Sequence, residues 1–231
     1  MRIIFVRHGE PDYSLDCLTE KGKIQAENVS ERLLNEQIGH IYVSPLGRAR
    51  QTAQPLAEKL GMEADVLPFM CEICWSSPDG EKYSEDGHPW ILGDRMLGRD
   101  GMRLTGEEWR DHPYFSSNYC VRNYDEICGG IDSLLSAHGY ERQGNNYLCT
   151  AENDETVAIF SHGGSGACAL SHLFNLPFPF VCAAMPYDFT SVIIVTLPVY
   201  AGRCVYPQLT LFNDIAHNRE KPKTGRAAFQ R

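Results

Sequence analysis

Arg2-Ile3-Ile4-Phe5-Val6-Arg7-His8-Gly9-Glu10 sets a short apolar run directly against a charged end. Ile3 to Val6 is unbroken and rich in β-branched residues, the pattern of a strand buried on both faces of a covered, parallel sheet. Arg7 and His8 stand where the carboxyl end of that strand falls. Gly9 there allows a sharp turn or a close approach of backbone to a ligand. In open α/β sheets, ligands bind in the crevice outside the carboxyl ends of the strands. A guanidinium offers a planar fork of donors for phosphate or carboxylate oxygens, and an imidazole can act as base, acid or nucleophile near neutral pH. Taken alone, the pair reads equally as a surface ion pair with Glu10.

Two further stretches repeat the arrangement. Ser44-Pro45-Leu46-Gly47-Arg48-Ala49-Arg50-Gln51-Thr52-Ala53 follows the apolar run Ile41 to Val43 and opens a helix, and Ser161-His162-Gly163-Gly164 follows Val157 to Phe160 and opens another. Arg48 falls in a first helical turn, where free N–H groups and the helix dipole already favour an anion. Three strand ends thus deliver cations or imidazoles to one crevice, and one anion site can collect them. Arg50 reads as part of a solvated face.

In this order the motifs resemble the histidine phosphatase superfamily, with its phosphoglycerate-mutase-like fold. Arg7-His8-Gly9-Glu10, the helix start Leu18 to Ala26, Ser44 to Ala53, Glu72 and Ser161-His162-Gly163 carry the resemblance, which spans most of the chain. It implies an α/β, single-domain three-layer sandwich, a mostly parallel sheet with helices on both faces. It also implies a metal-independent phosphomonoesterase of the histidine acid phosphatase type that needs no cofactor. His8 would be the nucleophile, its second ring nitrogen held by a backbone carbonyl, while Arg7, Arg48, His162 and the Gly163 N–H would clamp the phosphate. Glu72 would be the acid: it lies alone among apolar neighbours, where a carboxyl's ionised form is disfavoured. An aspartate that follows the second histidine in another branch is replaced here by Gly163.

The 231 residues carry a formal charge of −9, which argues against nucleic-acid or membrane-surface partners. The expected partner is a small phosphate ester; the oligomeric state is unreadable. With no secretory pattern and no long apolar run, the expectation is a cytoplasmic protein whose nine cysteines are reduced. Cys71 and Cys74 form one C-x-x-C without the second pair that a zinc site needs, so no metal is expected.

Along the rest of the chain, Thr19 reads as the cap of a helix with Ile24, Val29, Leu33 and Leu34 on one face, and Gly61 as the end of the next. Asp12 reads as a loop residue. Residues 76–118 are unpatterned and are read as a lid insertion carrying specificity, with His88 and His112 structural. Gly144 to Asp154 and Pro177 to Pro186 read as loops, and about 215–231 as a flexible basic tail. Phosphatase chemistry is preferred because Cys71-Glu72-Ile73-Cys74 lacks the Asn-Glu-Arg-His-type stretch of the family's mutases. Phosphoglycerate-mutase-type transfer and a non-catalytic phospho-ligand-binding module are the alternatives.

Overall fold

The apolar run becomes β1 (Arg2–Arg7) in the computed structural model, which describes residues 1–218. A small hairpin follows, β2 (Pro11–Asp12) and β3 (Cys17–Leu18), then α1 (Glu20–Leu33), β4 (Ile38–Val43), α2 (Gly47–Leu60) and β5 (Ala64–Val66). After these come α3 (Pro89–Asp94), α4 (Tyr119–Ala137), β6 (Tyr140–Gln143), β7 (Asn146–Cys149), β8 (Thr156–Ser161) and α5 (Gly163–Phe174). The described chain ends with α6 (Phe178–Ala184), β9 (Val192–Thr196), β10 (Cys204–Val205) and β11 (Gln208–Asp214).

Six strands lie in the order β11-β9-β1-β8-β4-β5. β1, β8, β4 and β5 are mutually parallel and only β9 runs against the rest. The fold is therefore α/β with a mostly parallel central sheet, as the apolar runs imply. Their lack of alternation has a direct cause. Ile4, Val6, Ile41, Val43, Ala158 and Phe160 pack with Val29 and Leu33 of α1 and Ala49, Ala53 and Leu56 of α2. The residues between them, Ile3, Phe5, Val157 and Ile159, are buried as well, so neither set can be polar.

Register fixes the site before any side chain is considered. Arg7 pairs with Ser161 and Val6 with Phe160, while Phe160 also pairs with Val43. The three strands stop within one residue of one another. His8, His162 and Ser44, the residues that come next, consequently emerge side by side.

Local signals behave as their chemistry dictates. Thr19 caps α1 by accepting from the Gly22 N–H at 3.0 Å. Gly61 takes the left-handed conformation, φ 64°, and its N–H closes the end of α2 on the Ala57 and Glu58 carbonyls. Ile24 departs from expectation: it is exposed, because Gly22, Ala26, Val29, Ser30 and Leu33 form the buried stripe of α1. Gly9 also serves this docking. A Cβ on Gly9 would meet the Gly22 carbonyl oxygen at 2.7 Å, and one on Gly22 would meet that of Glu10 at 2.1 Å.

Two expected loops are ordered elements. Asn146–Cys149 lies within Gly144 to Asp154 and joins β6 and β10 in a three-stranded sheet. Pro177 to Pro186 contains α6, whose prolines occupy the first turn, where no N–H is required.

The described chain forms two compact units. The first comprises Met1–Cys71, Leu135–Gly163 and the chain from Tyr187 onward; the second comprises Glu72–Leu134 and Gly164–Pro186. Residues 76–118 fall within the second, which has a core of its own. Trp109 is fully buried, with the rings of Tyr124, Phe115 and Phe178 at 5.2, 5.3 and 5.6 Å. This tryptophan is packing, not a substrate platform. His88 lies 4.4 Å from the Trp75 ring, and burial lowers its pKa to about 4. His112 Nδ1 accepts from the Tyr114 N–H at 3.3 Å. Residues 219–231, most of the expected basic tail, lie outside the described residues.

Candidate active site

The first unit holds all the side chains of the strand-end motifs. His8 is 1% exposed and His162 fully buried, their ring centroids 5.1 Å apart. His8 Nδ1 lies 2.7 Å from the Gly9 carbonyl oxygen. A carbonyl only accepts, so Nδ1 carries the proton and Nε2 keeps its lone pair. That Nε2 is buried and has no hydrogen-bond partner among the described residues. His162 Nε2 and Ser44 Oγ share a 2.7 Å hydrogen bond.

The two arginines are anchored by one edge each. Arg7 Nη1 donates to the Tyr187 carbonyl at 2.6 Å, and the guanidinium carbon lies 4.3 Å from the centre of the Phe189 ring. Arg48 Nη1 donates to Asp16 Oδ1. In both, Nε is buried and without a partner among the described residues. Buried donors are normally satisfied. Two cationic N–H groups and one imidazole lone pair, all buried and unpartnered among the described residues, are the donors and the nucleophile that a tetrahedral anion would engage.

Electrostatics agree. Burial first, then the charges of Arg7 and, less, Arg48, bring the His8 pKa down to about 3, against the pull of the Gly9 carbonyl. Burial also drives His162 far down, with His8, Arg48 and Arg7 adding to it. Both histidines therefore feel the charge of both arginines. Both imidazoles are neutral at pH 7, one presenting a lone pair to a cradle with two guanidinium groups.

Backbone contacts hold the cradle. The Thr190 N–H donates to the Arg7 and His8 carbonyls at 3.0 and 3.3 Å. The Gly9 N–H donates to Thr52 Oγ1 at 3.0 Å, and that hydroxyl donates to the Arg48 carbonyl at 2.7 Å. Tyr187 Oη donates to the His162 and Gly163 carbonyls. Gly163 begins α5, and a Cβ there would sit 3.5 Å from the Arg7 guanidinium carbon.

Glu72 belongs to the second unit and is not the isolated carboxyl expected from its apolar neighbours. Its Oε1 accepts from the N–H groups of Gly164 at 2.9 Å, Ile73 at 3.0 Å and Ser165 at 3.3 Å. It thus sits at the start of α5, against the residues that follow Gly163. Gly164 makes this possible, since a Cβ would lie 2.5 Å from Glu72 Oε1.

Other expectations resolve simply. Glu10 pairs with Lys21 at 3.3 Å rather than with Arg7 or His8. Asp12 Oδ1 accepts from the Ser14 N–H and hydroxyl, a local turn. Arg50 is exposed. Four contributors went unforeseen: Asp16, Ser44, Tyr187 and Phe189. Only Ser44 carried a signal, its place at the end of an apolar run. Tyr187 and Phe189 fall between the expected loop and the apolar run that follows it, and nothing in the spacing ties Asp16 to Arg48.

Among the described residues, no group of three His, Cys, Asp or Glu side chains could hold a metal ion. No described helix is long and apolar enough to cross a membrane.

Comparison with known proteins bears on family and fold. The profile of the histidine phosphatase superfamily (branch 1) matches residues 3–208. A probable phosphoglycerate mutase of Serratia proteamaculans is 29% identical over 186 residues, 77% of this chain and 76% of that protein. Phosphoglycerate mutase-like protein 4 of Arabidopsis thaliana is 45% identical over 174 residues, 70% of this chain and 66% of that one. The structure of phosphoserine phosphatase from Entamoeba histolytica in complex with 3-phosphoglyceric acid matches with a TM-score of 0.63 at 22% identity, covering 94% of this chain and 98% of that chain. At that identity the structural likeness is one of fold.

Proposed function

The chain belongs to branch 1 of the histidine phosphatase superfamily, and we propose that it is a phosphomonoesterase acting on a small phosphorylated metabolite through a phosphohistidine at His8. One observation carries this reading: the His8 Nε2 lone pair, buried and unpartnered, between two guanidinium Nε donors that are also unpartnered.

In the proposed reaction, the Nε2 lone pair forms a bond to phosphorus as the ester P–O bond breaks. Arg7, Arg48, His162 and the Gly163 N–H hold the phosphoryl oxygens. Phosphoryl transfer needs little covalent help and mainly positioning and charge stabilisation, which such a cradle supplies. The leaving oxygen takes a proton from Glu72, a role assigned by resemblance to the family. Water then yields a proton to the Glu72 carboxylate and attacks phosphorus. The N–P bond breaks, inorganic phosphate leaves, and His8 recovers its lone pair. The depressed His8 pKa keeps the nucleophile unprotonated at neutral pH, and the scheme requires no metal.

The names of the Serratia and Arabidopsis relatives favour a second reading, transfer between phosphoglycerate positions. The Cys71-Glu72-Ile73-Cys74 stretch speaks for hydrolysis. Incubation with 3-phosphoglycerate and with a panel of phosphorylated metabolites decides: hydrolysis predicts inorganic phosphate without 2-phosphoglycerate, transfer the reverse. A third class, a binding module without catalysis, has no need of a nucleophile; phosphate binding with no turnover of any ester would establish it. A Glu72→Gln protein is expected to accumulate phosphohistidine, whereas undiminished turnover would place the acid elsewhere.

A further inference from the structure

We propose that Asp16 is a positioning residue of the phosphate cradle: it fixes the edge from which Arg48 addresses the phosphate and tempers the cradle's hold on the released product. This rests on the phosphatase reading given above. The β2–β3 hairpin brings Asp16 to the start of α2, and both of its oxygens are used there. Oδ2 accepts from the Gly47 N–H at 2.7 Å and Oδ1 from Arg48 Nη1. One carboxylate therefore caps the helix that carries Arg48 and grips the guanidinium itself.

The backbone is arranged to allow this. Asp16 adopts a left-handed conformation, φ 49°, which aspartate and asparagine tolerate better than most residues. Its carbonyl oxygen approaches Gly47 so closely that a Cβ on Gly47 would lie 2.3 Å away. Tyr13, on the same hairpin, places its ring centre 5.4 Å from the Arg48 guanidinium carbon. Nη1 is thus committed to Asp16, and the buried, unpartnered Nε is left for an incoming oxygen.

The carboxylate has a second consequence. The Arg48 side chain is only 9% exposed, and Asp16, at 40%, is its ion-pair partner. Near the cradle, one negative charge offsets part of the attraction for a dianionic product. A phosphatase benefits from releasing phosphate, so the same residue would orient the clamp and ease product departure.

Two variants test these effects. Asp16→Asn tolerates the backbone conformation and can still accept from the Gly47 N–H, but it removes the charge and turns a donor NH2 toward Arg48 Nη1. Asp16→Gly removes the side chain without strain, because glycine accepts positive φ. The expected result for Asp16→Asn is inorganic phosphate inhibition tightened by roughly three- to tenfold, as an opposing charge is lost. For Asp16→Gly it is a fall in kcat/KM of about ten- to a hundredfold, as a misplaced clamp entails, with cooperative thermal unfolding retained. A merely structural role would not tighten phosphate binding. Phosphate affinity of Asp16→Asn within twofold of wild type, or kcat/KM of Asp16→Gly within twofold, would overturn the proposal. Should the wild-type protein hydrolyse no ester on the panel, the phosphatase reading fails by itself; phosphate affinity, measured calorimetrically on both proteins, still decides the part assigned to Asp16.

Discussion

The first unit contains two histidine pairs, and they are treated in opposite ways. His40 and His138 share the Glu155 carboxylate, their Nδ1 atoms 3.0 Å from its two oxygens, and His138 Nε2 is bonded to Tyr42 Oη at 3.0 Å. Among the described residues, no carboxylate is shared by His8 and His162. They are surrounded by guanidinium groups, and burial, then Arg7, depresses the His8 pKa to about 3. A satisfied pair is structure. A pair held neutral by burial, beside two guanidinium groups whose Nε atoms have no partner among the described residues, has the make-up of an anion site.

That contrast is most readily tested by removing His8. His8→Ala should lower kcat on p-nitrophenyl phosphate by at least ~10⁴-fold, the scale seen when a nucleophile is deleted. Wild-type turnover in that variant would place the two pairs in one class. Next in size, Arg48→Ala and Arg7→Ala should each cost ~10²- to 10³-fold in kcat, the usual effect of deleting one preorganised donor. A change confined to KM would mean that the cradle binds substrate and transition state equally.

A pH titration of stability sharpens the comparison further. The folded His8 pKa of about 3 lies below its ordinary value of 6.5. Above pH 6.5 the imidazole is neutral in both states and contributes no pH dependence. As pH falls from 6.5 towards 3, the unfolded chain takes up a proton that the folded site refuses, so stability is lost across that window. His8→Asn should flatten this dependence in thermal melts, and an unchanged slope would contradict the desolvated, neutral imidazole. The smallest effect belongs to the other pair. Glu155→Gln should cost about 1 kcal/mol in denaturant unfolding, as for a partly exposed ion pair, with turnover within twofold of wild type. A large loss of activity there would show that the two clusters are not separate in function.

Most of the sheet and most of the cradle were legible because they follow from short-range rules. Runs such as Val157 to Phe160 admit no polar residue when both faces are covered, and parallel pairing then brings the residues that follow each run to one level. Thr19 and Gly61 announce helix ends by their own chemistry. What escaped was long-range or depended on shape. Ile24 could be placed only once Gly22 was known to pack on Gly9 and Glu10, and the prolines of Pro177 to Pro186 read as a break although they open a helix. Asp16 bonds a residue thirty-two positions away, and no spacing rule links a hairpin carboxylate to a helix arginine. The apolar neighbours of Glu72 suggested isolation, but its side chain turns to three backbone amides that sequence cannot locate.

Attack by the His8 ring nitrogen is tested directly by acid-free rapid quenching during turnover. Mass spectrometry of the peptide containing His8 should find a phosphoryl group on that imidazole, labile in acid and stable in alkali, and absent from a His8→Ala protein. A phosphoryl group on any other residue, or steady hydrolysis with none on His8, would contradict the account.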